Sequence, residues 1–142
     1  MTSTESSQDF PASDAFSRLQ QIIVTLRGAD GCPWDGKQTP ISLKNYLVEE
    51  CQELIEAIDK DRGEDVCEEI GDVFFILTML ITIYTEQQRF TVDDVFAQIV
   101  AKMIRRHPHV FAGAPVGNEQ ELRAQWERIK ELEKRYPPPS PR

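Results

Sequence analysis

Five carboxylates on two adjacent stretches carry the strongest chemical signal in this sequence: Glu49, Glu50 and Glu53, then Glu69 and Asp72. They spell E-E-x-x-E and, after a short gap, E-x-x-D. Both stretches show the apolar periodicity of helices. At about 100° per residue, Glu50 and Glu53 lie roughly 60° apart, as do Glu69 and Asp72. With Leu47 as the centre of the first apolar stripe, Glu50 falls about 60° to one side. With Val73 as the centre of the second, Glu69 falls about 40° to the same side and Asp72 about 100°. Each pair therefore sits on the shoulder of its stripe, and antiparallel packing can turn the two shoulders toward one groove. Carboxylates gathered at an apolar boundary are costly without a positive partner. Mg²⁺ or Mn²⁺ fits that role, because both take oxygen ligands in a largely octahedral shell completed by water and phosphate oxygens. Glu49, beside Glu50 on the more exposed side, can bind a further ion or act as general base on a water. The competing reading is a solvated helix face, which is what Glu56, Asp59 and Glu64 are expected to form. The pattern alone leaves metal site and solvated face both open.

The cations are clustered elsewhere. Lys102, Arg105 and Arg106 lie together, with His107 and His109 directly after. Lys102 and Arg106 are four apart and share a helix face without an acidic partner at that spacing on their own helix. Arg offers phosphate a bidentate fork and Lys a point charge. Lys130 follows Trp126 by four, which pairs an ammonium with an aromatic plane. Core packing for Trp126 and solvation for Lys130 are the plainer alternatives. His107 and His109 read best as groups near the carbonyl end of a helix. Trp34 either wedges against the core or stacks on a base.

The net charge of −8 argues against general affinity for a nucleic-acid polymer. One tight basic patch on an acidic protein suits a small polyphosphate better. Cys32, Cys51 and Cys67 lack C-x-x-C spacing, so neither a disulfide framework nor a zinc site is expected. Cys51 and Cys67 are expected to be small core residues. No apolar run is long enough to cross a membrane. The first residues lack the features of a signal peptide, which points to the cytoplasm.

These groups need a scaffold, and the scaffold reads as all-α. Residues 1–12 are expected to be a disordered tail and 137–142, Pro-Pro-Pro-Ser-Pro-Arg, an extended Pro-rich one. Between them a single domain, 13–136, holds about five helices. The first spans Ser13 to Leu26, with Phe16, Leu19, Ile22, Ile23 and Leu26 inward. A loop rich in breakers follows, from Gly28 to Pro40. The second helix spans Ile41 to Asp59, with Leu43, Leu47, Cys51, Leu54, Ile55 and Ile58 inward. The third spans Glu64 to Gln87, with Ile70, Val73, Phe74, Leu77, Leu80, Ile81 and Tyr84 inward. The fourth is capped by Thr91 and stops near Arg106, ahead of Pro108. The fifth spans Asn118 to Arg135. A short link around Asp61 to Gly63 makes the second and third helices antiparallel neighbours. The third is apolar over most of its circumference, which predicts a homodimer, with dimer versus tetramer left open by the sequence.

The motifs together resemble the MazG family of nucleoside triphosphate pyrophosphohydrolases. The resemblance is carried by Gly31-Cys32-Pro33-Trp34-Asp35, Gln38-Thr39, Tyr46-Leu47-x-Glu49-Glu50-x-x-Glu53, Glu68-Glu69-x-Gly71-Asp72 and Lys102-x-x-Arg105-Arg106-His107-Pro108-His109-Val110-Phe111. Trp126-x-x-x-Lys130 is similar to that family's C-terminal motif. The resemblance implies an all-α fold and hydrolysis of an NTP or dNTP to the monophosphate and pyrophosphate, with a role in clearing the nucleotide pool. It implies Mg²⁺, or Mn²⁺ in its place, on Glu50, Glu53, Glu69 and Asp72. Glu49 is implied as an extra ligand or the base, with Glu50 beside it in the catalytic set. Lys102, Arg106 and Lys130 are implied as phosphate contacts and Trp126 as part of the nucleotide pocket, with Arg105 a weaker candidate. The sequence carries one such domain where the best-known members have two in tandem. Two other readings stand beside this one. One is a relative with a narrower substrate, such as phosphoribosyl-ATP or a damaged dNTP. The other is a non-enzymatic helical dimer.

Overall fold

The computed structural model describes residues 12–139. Among these the chain is all-α, with seven helical segments and no strand. The expected tail 1–12 lies outside the described residues except for Ala12, which opens the first helix, and 140–142 lie outside as well. The helices fall into two compact units, divided between Gln87 and Gln88. No described helix is long and apolar enough to cross a membrane.

The first unit contains α1 (Ala12–Arg27), α2 (Pro33–Gly36), α3 (Pro40–Asp59) and α4 (Gly63–Glu86). The link from α3 to α4 is only Lys60 to Arg62, with Asp61 in the left-handed region at φ 50°. Asp tolerates that conformation better than most residues. So short a link folds α4 back along α3. Ile23, Leu43, Ile76, Met79 and Ile83 form the core, flanked by Leu19, Leu47, Phe75 and Leu80. Each buried side chain of this kind contributes roughly 1.5–3 kcal/mol.

The face of α4 that packs inward is not the expected one. Ile76, Thr78, Met79, Thr82 and Ile83 are buried, whereas Ile70, Phe74 and Leu77 are exposed. A helix apolar all round gives the pattern no polar side to read, so its neighbours choose the face. The two threonines can be buried because their hydroxyls donate to carbonyls one turn back. Thr78 Oγ1 reaches Phe74 O at 2.6 Å and Thr82 Oγ1 reaches Thr78 O at 2.8 Å. Ile22, Ile55, Ile58 and Cys67 are exposed as well, against expectation.

The expected loop Gly28 to Pro40 contains one extra helical turn, α2, opened by Pro33 at its first position. Gly31, just ahead of this turn, leaves no room for a side chain, because a Cβ there would collide with the carbonyls of Thr25 and Leu26. Arg27 then ties the segment down. Its Nη1 donates to the carbonyls of Asp35 at 2.6 Å and Gln38 at 3.2 Å. Its Nε and Nη2 both donate to Glu86, each at 2.9 Å. Gln38 continues the chain, donating to Trp34 O at 2.9 Å and accepting from Ser42 Oγ at 2.7 Å. Thr39 and Ser42 complete a reciprocal cap that starts α3.

The second unit contains α5 (Val92–Arg106), α6 (Pro108–Phe111) and α7 (Glu119–Arg135). α6 is a second single turn that the sequence pattern misses. Thr91 and Asp94 cap α5 reciprocally, and Asn118 caps α7 by accepting from Glu121 N at 2.9 Å. No described residue of these three helices is buried. The apolar side chains Phe96, Ile99, Val100 and Met103 of α5 are exposed.

Arg27 gives a stability prediction. Its side chain is 9% exposed against 47% for Glu86. Arg27→Met leaves two carbonyls and a carboxylate without their donor, and is expected to cost about 2–4 kcal/mol. Glu86→Gln keeps the carbonyl contacts and is expected to cost about 1 kcal/mol or less. Urea denaturation of both variants checks the ranking.

Candidate metal centre and anion groove

The three-residue link brings the two carboxylate pairs together. Glu50, Glu53, Glu69 and Asp72 each offer an oxygen, and these four oxygens all lie within 4.8 Å of one another. Glu50 and Glu69 are half-buried, and Glu53 and Asp72 are exposed. Oε2 of Glu50 and Oε2 of Glu69 are enclosed and have no hydrogen-bond partner among the described residues. Glu49 stands outside this set, exposed, and close enough to add to the negative field on Glu50.

Crowding moves the titrations. Glu69 is pushed up to about 7, first by loss of water and then by the charges of Glu53, Asp72 and Glu50. Glu50 is raised by loss of water, then by Glu53, Asp72 and Glu49. Glu53 is the hydrogen-bond partner of either acid once a proton is present. Without a proton or a cation, the enclosed oxygens face only other carboxylates. The residues therefore fit a hard divalent cation: all donors are oxygen, they converge, and two are left unsatisfied.

The second unit holds the cations. Lys102, Arg105 and Arg106 line an open groove of about 710 Å³ beside α5. Glu133 of α7 enters it. Arg106 donates to Glu133 through Nη2 at 3.0 Å and Nε at 3.3 Å, and Arg105 donates through Nε at 2.8 Å. These two contacts hold the Glu133 carboxyl down at about 2, the Arg106 hydrogen bond having the larger effect. Lys130 Nζ sits 5.3 Å from the Trp126 ring centroid, and Trp126 remains 45% exposed. The aromatic–ammonium pair read from the spacing is present, and Trp126 is not a core residue of this unit. Lys130 also approaches Glu127 at 3.7 Å.

Similarity to known proteins decides the family. A family model described as the MazG nucleotide pyrophosphohydrolase domain matches residues 38–111, slightly more than half of the chain. The chain belongs to the MazG family. It is 49% identical over 119 residues to a Bacillus subtilis protein named YabN and called uncharacterized, covering 84% of this chain and 24% of that one. It is 46% identical over 119 residues to the Thermotoga maritima nucleoside triphosphate pyrophosphohydrolase/pyrophosphatase MazG, covering 84% of this chain and 45% of that protein. The chain thus spans less than half the length of these relatives. The crystal structure of a mazG-related protein from Thermotoga maritima superposes with a TM-score of 0.67 at 27% identity, covering 81% of this chain and 98% of that one.

The MazG-family match takes in both carboxylate pairs and the Lys102 to Phe111 motif, and stops short of Trp126 and Lys130. Two residues that organise the structure, one in each unit, escape sequence reasoning. Arg27 and Glu133 bind partners 59 and 27 residues away, and no local spacing announces such pairs. His107 is placed as its position suggests, with Nδ1 2.6 Å from Met103 O at the end of α5. Trp34 packs edge-on against Tyr46, with ring centroids 5.5 Å apart.

The raised carboxyls give a pH prediction. Because Glu69 titrates above its ordinary 4.5 in the fold, its contribution to stability is present below 4.5 and lost as pH rises through about 7. The metal-free protein is expected to melt lower at pH 8 than at pH 5, and Mg²⁺ or Mn²⁺ to reverse this. Glu69→Gln is expected to raise the metal-free melting temperature at pH 8 and to abolish the response to the ion. Calorimetric scans with EDTA or cation read both effects.

Proposed function

We propose that this MazG-family chain is a nucleoside triphosphate pyrophosphohydrolase that cleaves between the α and β phosphates of an NTP or dNTP, releasing the monophosphate and pyrophosphate. The observation that carries the proposal is the convergence of four carboxylate oxygens within 4.8 Å, with enclosed, unpartnered oxygens on Glu50 and Glu69. Glu50, Glu53, Glu69 and Asp72 are the residues to hold Mg²⁺, with Mn²⁺ as a substitute. A divalent ion there supplies charge neutralisation and an acidified water. Glu49, exposed and outside the four, is the residue to take the proton as water adds to phosphorus and the phosphoanhydride bond breaks. Lys102, Arg106 and Lys130 stabilise negative charge on the departing pyrophosphate. Trp126 offers a half-exposed ring to the nucleoside. Nucleotide substrates suit a cytoplasmic enzyme.

Exposed Ile70, Phe74 and Leu77 recur at i, i+4 and i+7 and so share one face of α4. An apolar stripe of this kind supports a homodimer. Phe74→Glu is expected to shift the chain toward monomer, read by light scattering after size exclusion; an unchanged mass rules this face out.

Activity is tested with Glu50→Ala and Asp72→Asn on a panel of NTPs, dNTPs and damaged dNTPs with Mg²⁺, identifying both products. Loss of a charged ligand worth about 3 kcal/mol predicts a fall of about a hundredfold or more in pyrophosphate release. Undiminished release in both variants sinks the assignment. Absence of stoichiometric Mg²⁺ and Mn²⁺ binding by calorimetry would leave a solvated face.

A further inference from the structure

The three cations of the groove are not equivalent. Arg106 is only 14% exposed, and its Nε and Nη2 are both committed to Glu133. That is the edge with which a guanidinium grips a phosphate. Arg105 is 35% exposed and commits only Nε, leaving Nη1 and Nη2 without a partner among the described residues. Lys102 lines the same groove one turn earlier. Of the two acids that line it, Asp94 is taken up by the α5 cap, accepting from Thr91 N at 2.8 Å. Glu133 is the carboxylate that meets both arginines, and both of its oxygens are used on them.

A single carboxylate bridging adjacent guanidiniums does two things. It offsets the mutual repulsion of cations crowded on the last turns of α5, and it fixes two flexible side chains in one orientation. Fixing them in advance removes ordering entropy that a ligand would otherwise have to supply. The bridge is mostly out of water, so it is held more firmly than an ordinary surface ion pair.

We propose that Glu133 is a positioning residue for a polyphosphate site, clamping Arg106 as a strut so that the terminal nitrogens of Arg105, together with Lys102, make the phosphate contacts. This rests on the pyrophosphohydrolase reading for the identity of the ligand, and it moves the principal arginine contact from Arg106 to Arg105. The clamp itself requires only an anion carrying several phosphates.

The test titrates the full chain with inorganic tripolyphosphate by calorimetry in EDTA, which takes the carboxylate cluster out of play, and then measures nucleotide kinetics with Mg²⁺. Glu133→Gln keeps the shape and removes the charge. It is expected to weaken tripolyphosphate binding and to raise KM by about tenfold, the effect of one lost charge-assisted contact, with kcat changed by less than about twofold. Glu133→Asp retains the charge and is expected to fall between wild type and Glu133→Gln. Arg105→Lys keeps the charge, loses the fork, and is expected to weaken binding by about three- to tenfold. Tighter or unchanged binding by Glu133→Gln overturns the proposal, because the carboxylate would then be a competitor or a bystander. So does a wild type that binds no tripolyphosphate. If circular dichroism shows Glu133→Gln unfolded, Arg105→Lys decides, and unchanged binding there overturns it. A wild type that binds tripolyphosphate and loses it on Glu133→Gln, yet releases pyrophosphate from no nucleotide, retains the clamp and removes the enzymatic reading.

Discussion

Everything at the candidate metal centre depends on one electrostatic constraint. Four carboxylates cannot hold their charges within 4.8 Å of one another without a proton or a cation among them. The fold nevertheless brings them there, because Lys60 to Arg62 are too few residues to let α3 and α4 do anything but pair. Packing of Leu43, Ile76, Met79 and Ile83 drives the helices together, and the acids on their shoulders follow. Hydrophobic burial thus works against charge repulsion, and the raised titration of Glu69 records the conflict. A cluster under such strain is relieved by a cation that binds the folded chain.

The second unit resolves a similar problem with the opposite sign. Lys102, Arg105 and Arg106 crowd the end of α5, and Glu133 relieves them internally. The two units therefore differ in what they leave open. In the carboxylate cluster two enclosed oxygens have no protein partner, whereas in the groove the shared acid is satisfied by both arginines. The first arrangement calls for an ion from outside, and the second presents a cationic surface already held in shape.

The five long helices were legible because their apolar spacing, caps and breakers agree. Thr91 before two aspartates, Pro108 after Arg106 and the breakers around Gly63 each mark an end the structure respects within a residue or two. The one-turn helices α2 and α6 were not legible, since four residues carry no period. The inward face of α4 was misread for a different reason. Its sequence is apolar on every side, and Thr78 and Thr82 look polar until their hydroxyls are seen bonded to their own helix.

By itself the sequence determined which candidate groups stand together: the acid pairs, the cation cluster, the Trp126–Lys130 pair and the family to which their order points. These depend on residue types at local spacings, and helix geometry converts spacing into a shared face without outside help. Tertiary structure alone decided how closely the acid pairs meet, that α4 turns Ile76 and Met79 inward, and that Glu133 takes hold of Arg105 and Arg106. Those outcomes join residues on different helices, some far apart in the chain. They are set by the competition between burial and charge in three dimensions, which no local pattern encodes.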